Sequence, residues 1–355
     1  MKTGKQLNEL AKELKRQNEA KRDFLAPACQ MLVKTSDAGT TVDLDACGVF
    51  AVRDTAHAQL AELVDIPKVY YDRLRDQART LFDYNVNHWL SCNPAPRLIR
   101  TIDRQARAIL SDKYRPLDNF DLAEAALPVL MERGFEIVSC EITERRFFLK
   151  AIIPALQREV KPGDLVQAGL SISNSEIGEG TLKIDPMLYF LVCTNGIITA
   201  DNRVRKYHVG KASDGLDAAM EFFRSETRQA DDLAFWMKIR DILQGILTQD
   251  YLDAQVKKLR ESSEQPFLAP PAQVIDVTAK RFRFSNAEKD SVLEHIIRGH
   301  NGRPELTRYG LAQAITRASQ DLEDYERATE FERIGGEIIE IPTRQWQAIA
   351  EASLA

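Results

Sequence analysis

The chain has 355 residues, of which 44% are hydrophobic and 28% are charged, and its formal net charge is −5. This composition excludes a chain that is disordered throughout and supplies enough apolar residues for a sizeable core. No stretch reaches the roughly 20 apolar residues of a membrane-spanning helix, and the charged segment 1–24 lacks the apolar centre of a signal peptide. We therefore expect a cytoplasmic protein with no membrane partner.

The cysteines and the charge distribution exclude further classes of protein and indicate which part of the chain binds which kind of partner. Five widely spaced cysteines without a C-x-x-C pair argue against a disulfide framework and against a zinc cluster. Residues 217–355 hold 18 Lys and Arg against 24 Asp and Glu, a net charge of −6, which leaves +1 for residues 1–216. Residues 1–216 are therefore the better candidate to bind a polyanion, and the acidic residues 217–355 are the better candidate to bind another protein.

The first 90 residues show helix and strand patterns in turn. Leu7, Leu10 and Leu14 have the spacing of a short amphipathic helix. Alternating apolar residues between turn signals predict strands within 31–52, and Thr55 is a suitable N-cap for the helices that extend to about residue 89. The aromatic residues of these helices are predicted to pack in the core, namely Tyr70, Tyr71, Phe82, Tyr84 and Trp89.

The middle of the chain is predicted to be mostly strand. Arg97–Thr101 and Arg107–Leu110 flank Asp103-Arg104, a tight hairpin turn, and Asn119–Arg133 has the pattern of a helix closed by Gly134. Further strands are predicted at 135–141, 147–153, 165–175, 182–192 and 197–204. Strands clustered in this way predict an α+β fold, with a largely antiparallel sheet in the middle of the chain flanked by helices, and a helical C-terminal part.

Three consecutive segments are predicted. Residues 1–54 form an N-terminal helix and strands, residues 55–262 an α+β core, and residues 263–355 a helical C-terminal region. The boundary is placed at the proline-rich stretch Ser262–Pro271, which has the composition of a linker.

Motifs for catalysis are mostly missing. The sequence lacks the phosphate-binding loop, the dinucleotide-binding glycine motif, the nucleophile elbow and H-E-x-x-H. We predict no cofactor and no metal site. One alternative stays open: Asp43 and Asp45 would share a face if they alternate on a strand, and two such carboxylates can hold a divalent cation in a nuclease. An exposed strand face explains them equally well.

Two segments are locally basic. Residues 97–115 carry six Lys and Arg against two Asp, and residues 203–211 carry four without any acid, with Tyr207 among them. Cations beside an aromatic ring are suited to phosphate contacts and base stacking. The same pattern is also typical of a charged sheet edge, where Lys and Arg prevent edge-to-edge aggregation. The candidate nucleic-acid-binding residues are Arg97, Arg100, Arg104, Arg107, Arg115, Arg203, Arg205, Lys206, Tyr207, His208 and Lys211.

Three stretches resemble a known family. Residues 107–119 are similar to a hairpin-to-helix motif, residues 171–178 and 191–196 contain S-N-S-E-x-G and V-C-T-N-G, and residues 308–316 give a looser match. Over roughly residues 55–335 the chain resembles the phage and plasmid family called domain of unknown function 932. The motif residues are Ser173, Asn174, Ser175, Glu176, Asn195 and Gly196. Asn195-Gly196 is expected to form a tight turn, and the polar residues either cap turns or line a binding surface.

The phage and plasmid setting that this resemblance implies suggests replication, recombination or conflict with a host. Together with the two basic segments it predicts a nucleic-acid-binding protein, with single-stranded DNA as the partner, similar to single-strand annealing recombinases and forming homo-oligomers. The alternatives are the metal-dependent nuclease at Asp43 and Asp45, and a regulatory or anti-defence factor that binds protein through its acidic C-terminal part.

Overall fold

The computed structural model describes residues 1–199, 225–299 and 302–352. Over these residues the fold is α+β, as predicted, with two sheets and with helices in the C-terminal part. The chain forms two compact units. The six-stranded unit comprises Ala11–Phe120 and Ser175–Thr181, and the five-stranded unit comprises Met1–Leu10, Asp121–Asn174 and Leu182–Ala355. The predicted division at 54/55 and 262/263 stays a prediction.

The six-stranded unit is built on a mixed sheet. Its strands are β1 (Arg22–Pro27), β2 (Leu32–Ser36), β3 (Gly39–Asp43), β4 (Val49–Val52), β5 (Pro96–Ile102) and β6 (Gln105–Ser111). Their order is β1-β5-β6-β4-β3-β2, and the pair β4–β6 is parallel whereas the others are antiparallel. The β5–β6 hairpin turns at Asp103 and Arg104, which both have positive φ, as a two-residue type I′ turn requires.

Three helices of this unit are α2 (Asp54–Leu63), α3 (Lys68–Gln77) and α4 (Arg79–Ser91). In α4 the buried positions Phe82, Val86 and Leu90 recur every four residues and join the same hydrophobic core as Val33 and Val42 of the sheet. This regular spacing gives α4 one buried face and leaves its other face toward solvent.

The five-stranded unit contains an antiparallel meander. Its strands are β7 (Glu136–Ile142), β8 (Phe147–Lys161), β9 (Asp164–Asn174), β10 (Lys183–Phe190) and β11 (Asn195–Ile198), and each pairs with its neighbours in the chain. β8 is longer than predicted, because its pairing with β9 continues past an irregularity between Ile152 and Gln157. The turns β8–β9 and β10–β11 lie at the same end of the sheet, since alternate strands of a meander run in the same direction.

The described residues form nine further helices. They are α1 (Leu7–Ala20), α5 (Asn119–Glu132), α6 (Ser225–Gly245), α7 (Gln249–Ser263), α8 (Pro271–Phe282), α9 (Asn286–Arg298), α10 (Arg308–Ala318), α11 (Tyr325–Glu340) and α12 (Thr343–Ala350). The predicted amphipathic helix is α1, in which Leu10 and Leu14 are buried. Gly134 has positive φ just after α5, as predicted for a helix that this glycine closes. In the described parts of the chain, no helix is both long and apolar enough to cross a membrane.

Three local predictions were wrong. The N-cap of α2 is Arg53, and the Thr55 hydroxyl instead donates to the Glu179 carboxylate over 3.1 Å. β3 ends at Asp43, and Asp45 lies in a short 3-10 turn with positive φ, so these two carboxylates do not alternate along one strand. Asn195 begins β11 and forms no turn, because the chain reverses before it, at Thr194, which has positive φ.

Candidate nucleic-acid interface

The basic hairpin β5–β6 presents only part of its charge to solvent. Arg104, at the turn, is exposed, and Arg97 and Arg115 are half-buried. Arg100 is completely buried and Arg107 is nearly so. Of the five predicted binding residues between 97 and 115, only Arg104 is fully exposed, and Arg100 and Arg107 lie in the interior.

Arg100 is held inside the six-stranded unit by three acceptors. Its Nη2 donates to Asp118 over 2.7 Å, its Nε donates to both Asp23 oxygens over 3.1 Å, and its Nη1 donates to the Glu176 carbonyl over 2.9 Å. Burial alone lowers the pKa of Arg100, but Asp118 and Asp23 more than offset this effect and raise it above its ordinary value. The guanidinium is thus committed to protein acceptors.

Glu176 of the S-N-S-E motif contacts other residues of the six-stranded unit and has a structural role. Its carboxylate pairs with the buried Arg107 guanidinium and accepts a hydrogen bond from the Asn119 backbone N–H over 2.6 Å, at the first residue of α5. A carboxylate is favourable at a helix N-terminus because the N–H groups there lack partners within the helix. Ser175 contributes its carbonyl, which accepts from the Tyr114 hydroxyl over 3.2 Å. These motif residues fix loops inside the six-stranded unit.

The second basic segment, with Arg203, Arg205, Lys206, Tyr207, His208 and Lys211, lies outside the described residues.

Asn195 of the V-C-T-N-G motif meets the third matched stretch inside the five-stranded unit. Its Nδ2 donates to Gln313 Oε1 over 2.7 Å and to Thr316 Oγ1 over 2.5 Å, both on α10. Gly196 lies in β11, where an added Cβ would come within 3.2 Å of Met187 Sδ. Two motifs separated by more than 100 residues in sequence are therefore joined by direct hydrogen bonds.

A row of polar residues crosses four strands of the meander and was missed from sequence. In register, Ser139 faces Lys150, Lys150 faces Ser171, and Ser171 faces Asp185, so their side chains share one face of the sheet. Helix α11 covers this row with polar residues spaced four, three and one apart: Tyr325, Thr329, Glu332 and Arg333. The available signal was the presence of polar side chains at the core-facing positions of an amphipathic helix.

Lys150 and Glu332 form the centre of this row. Both side chains are 0% exposed, with 2.7 Å between Nζ and Oε2, and Lys150 also donates to Thr329 over 3.0 Å. Burial lowers the pKa of Lys150, and the neighbouring Glu332 counteracts this in part. Ser173 and Asn174 of the S-N-S-E motif are buried near the end of β9, and Arg333 donates to the Ser173 hydroxyl over 3.4 Å.

The exposed face of α4 carries three aromatic rings in contact, which we call the aromatic cluster: Tyr84, His88 and Trp89. Tyr84 is 71% exposed and Trp89 is 51% exposed. The Tyr84 and His88 rings are stacked with 6.2 Å between centroids, and His88 meets Trp89 edge to face at 5.1 Å. The predicted burial of Tyr84 and Trp89 was wrong, because α4 buries only its opposite face.

Tyr70 on α3 was also predicted to be buried and is exposed. The Arg73 guanidinium lies over its ring, 5.0 Å from the centroid. Tyr71 and Phe82 do pack in the core, as predicted, with their rings edge to face at 4.8 Å. Exposed aromatic side chains are costly to leave in water, so a run of them indicates a contact surface.

These features define an α+β protein of two compact units, in which the residues of the sequence motifs are largely buried and the exposed aromatic residues lie elsewhere. A family model with the description domain of unknown function (DUF932) matches residues 107–321, more than half of the chain and inclusive of all three motifs. The chain belongs to this family. No curated protein and no solved structure matches it. Among the described residues, no group of three or more His, Cys, Asp or Glu is arranged to hold a metal ion.

Proposed function

We propose that the protein binds single-stranded nucleic acid, with the aromatic cluster of α4 as the surface on which bases stack. The observation that carries this proposal is the exposure of Tyr84 and Trp89 within one contacting set of rings. Bases present flat π faces, and stacking on aromatic side chains contributes roughly 1–3 kcal/mol per base without requiring a particular sequence.

Phosphate contacts come from cations of the six-stranded unit and from the basic segment 203–211. Arg73, Arg104 and Lys113 are exposed and belong to that unit, so they are available to a polyanion. Arg100 and Arg107 are not part of this proposal, because their guanidinium groups already have buried acceptors. Such contacts make affinity fall as salt rises, since each neutralised phosphate releases counterions.

The test is fluorescence anisotropy of labelled single-stranded and duplex DNA across a range of salt concentrations. Tyr84→Ala and Trp89→Ala are each expected to weaken binding of single strands by roughly fivefold to 150-fold, the equivalent of one lost stacking contact. The matched control is Leu25→Ala, which truncates an equally exposed apolar side chain on β1 of the same unit. This control is expected to bind as the parent protein does.

Two results would contradict the proposal. One is the absence of binding at low salt, and the other is binding that survives both aromatic substitutions unchanged. Combining Arg203→Ala, Arg205→Ala and Lys206→Ala should reduce the slope of log affinity against log salt by about one for each phosphate contact that is lost.

A role in annealing needs two further measurements. An annealing protein must speed the pairing of complementary strands, so a quenched-fluorophore annealing assay should show a protein-dependent rate. It should also form oligomers, which sedimentation velocity would reveal as species larger than 40.2 kDa.

A second candidate function is binding to another protein. Leu233 and Met237 are 63% and 55% exposed and lie one helical turn apart on α6, in the acidic part of the chain. An apolar pair on an exposed helix face is a typical anchor for a partner groove. A complex that contains a second protein and no nucleic acid, and that Leu233→Asp disrupts, would favour this function over the first.

A further inference from the structure

The fold brings together the backbone segments of two exposed cysteines that 62 residues separate in the chain. Cys29, Cys47 and Cys92 are exposed, and all three belong to the six-stranded unit. Cys29 lies in a short 3-10 turn, Ala28–Gln30, directly after β1, and Cys92 is the residue that follows the last turn of α4. Neither thiol is part of the proposed nucleic-acid surface.

Backbone hydrogen bonds hold these two segments against each other. The Cys29 N–H donates to the Asn93 carbonyl over 2.8 Å, and the Ala28 N–H donates to the Ala95 carbonyl over 3.0 Å. These bonds continue the antiparallel pairing of β1 with β5 beyond the ends of the two strands. Cys29 is therefore hydrogen-bonded to the residue that directly follows Cys92.

The backbone geometry allows a disulfide bond between the two thiols. Standard bond lengths and the 2.8 Å hydrogen bond place the Cα atoms of Cys29 and Cys92 no more than about 9 Å apart. A disulfide requires a Cα separation of about 4.4–6.8 Å, which lies within this limit. The Asn93 side-chain oxygen accepts from the Ala95 N–H over 3.0 Å, so the loop after Cys92 is itself held in a defined conformation.

Both thiols can also be reached from solvent. Ala28 and Leu90 are completely buried in one hydrophobic core, whereas Cys29 and Cys92, which follow them by one and two residues, are exposed. The two cysteines thus lie on the outside of the same packed region. Cys140 differs, because it is buried and burial raises the pKa of its thiol to about 11.

We propose that Cys29 and Cys92 form a redox-active pair, which a small-molecule disulfide such as oxidised glutathione converts into an intramolecular disulfide. One protein thiolate attacks the glutathione disulfide, so that a mixed disulfide forms and one glutathione thiolate leaves. The second protein thiolate attacks the protein sulfur of the mixed disulfide, and the second glutathione thiolate leaves. The two protons of the protein thiols end on the two glutathione molecules. The protein is oxidised by two electrons, and the glutathione disulfide is reduced by two.

The new bond encloses residues 29–92, which contain β2, β3, β4 and α2 to α4. A cross-link that closes a long loop restricts the unfolded chain more than the folded chain, so oxidation is expected to stabilise the six-stranded unit. An exposed disulfide is readily reduced again, so the bond is reversible. The proposal is independent of nucleic-acid binding, because it concerns only the reaction of the two thiols.

The test incubates the unaltered protein with equal millimolar concentrations of reduced and oxidised glutathione, blocks the remaining thiols with N-ethylmaleimide and digests the protein with trypsin without reduction. Trypsin places Cys29, Cys47 and Cys92 on separate peptides, which span residues 23–34, 35–53 and 80–97. Mass spectrometry is expected to show peptide 23–34 linked to peptide 80–97. The linked fraction should stay constant over a tenfold range of protein concentration, because the bond lies within one chain.

Two serine variants provide a matched comparison. Cys92→Ser is expected to increase the glutathione retained on Cys29 by roughly tenfold, because no second thiol displaces it. Cys47→Ser removes an equally exposed thiol of the same unit and should leave the linkage unchanged. Oxidation should raise the urea midpoint of the parent protein and not that of Cys92→Ser.

The proposal is overturned if peptides 23–34 and 80–97 are not linked in the unaltered protein, if either of them is linked to peptide 35–53 in equal yield, or if the linkage is lost on dilution. All three results are measured on the unaltered chain, so they do not depend on whether a variant folds.

Discussion

Arg107 and Glu176 form an ion pair with both side chains more than nine-tenths buried, although 68 residues separate them in the chain. Glu176 uses its second oxygen to hold the first N–H of α5. One carboxylate thus neutralises a buried guanidinium and satisfies a helix terminus. This double role accounts for the glutamate of the S-N-S-E motif without any ligand.

Glu176→Gln is expected to destabilise the protein by roughly 3–5 kcal/mol, because it leaves the Arg107 charge buried without a counter-ion. Urea unfolding followed by circular dichroism would measure the change. The matched control is Asp72→Asn, which breaks the exposed Lys68–Asp72 pair in the same unit and should cost about 0–1 kcal/mol. Equal effects of the two substitutions would show that burial of the Arg107 pair has no energetic consequence.

Glu332→Gln is expected to destabilise the protein at neutral pH by roughly 3 kcal/mol, because the ammonium of Lys150 then lacks its counter-charge. Burial lowers the pKa of Lys150, so between that value and the unfolded pKa the unfolded chain binds more protons, and stability rises with pH. The deficit of the variant should therefore shrink from pH 7 to pH 9.5 in urea titrations.

Two comparisons separate this effect from others. Lys150→Met with Glu332→Met removes both charges and should be more stable than Glu332→Gln alone. Glu340→Gln, which affects the more exposed Lys258–Glu340 pair, should cost about 0–1 kcal/mol with little change between the two pH values. A deficit for Glu332→Gln that grows with pH would contradict the assignment.

Gly336→Ala is expected to destabilise the protein by roughly 1–3 kcal/mol or more, because α11 and β11 approach too closely for a side chain. A Cβ at Gly336 would lie 2.1 Å from the Ile198 carbonyl oxygen, and backbone atoms cannot move aside cheaply. Gly245→Ala is the matched control at the end of α6, where no atom lies within 4 Å. It should be neutral or stabilise by about 0.5–1 kcal/mol. Thermal or urea midpoints that rank the two variants in the opposite order would refute this packing.

His57 should make the stability of the protein depend on pH below neutrality. Burial, followed by the charges of Arg75 and Lys68, lowers the pKa of His57 to about 4. In the unfolded chain the pKa is near the ordinary 6.5, so between about pH 6.5 and pH 4 only the unfolded chain is protonated. The contribution of His57 to the free energy of unfolding is complete above pH 6.5 and decreases as the pH is lowered, so that about 2 kcal/mol is lost at pH 5.

His57→Gln should remove this part of the pH dependence, whereas His88→Gln at an exposed position of α4 should leave it unchanged. Urea titrations at pH 8 and pH 5 provide the measurement. If the parent and His57→Gln lose the same stability between these pH values, His57 is not the responsible group.

Sequence patterns predicted the elements of the structure that depend on residues close to one another in the chain. The β5–β6 hairpin at Asp103-Arg104 and the helix ending before Gly134 were predicted because turn geometry and helix periodicity are local. The meander β7 to β11 was also foreseen as a largely antiparallel sheet, since each strand pairs with its neighbours in the chain. The polar row across this sheet was not predicted, because its residues become neighbours only when four strands are paired in register.

The sequence by itself therefore determined the α+β class, the family and most of the regular elements. Only the tertiary structure decided which charges and rings face solvent. Arg100 and Arg104 look alike in a basic stretch, yet Arg100 is buried because Asp23 and Asp118 are brought to it from other parts of the chain. Tyr84 and Phe82 look alike in an aromatic helix, and only Phe82 faces the sheet. Burial depends on long-range packing, which composition and local spacing do not specify.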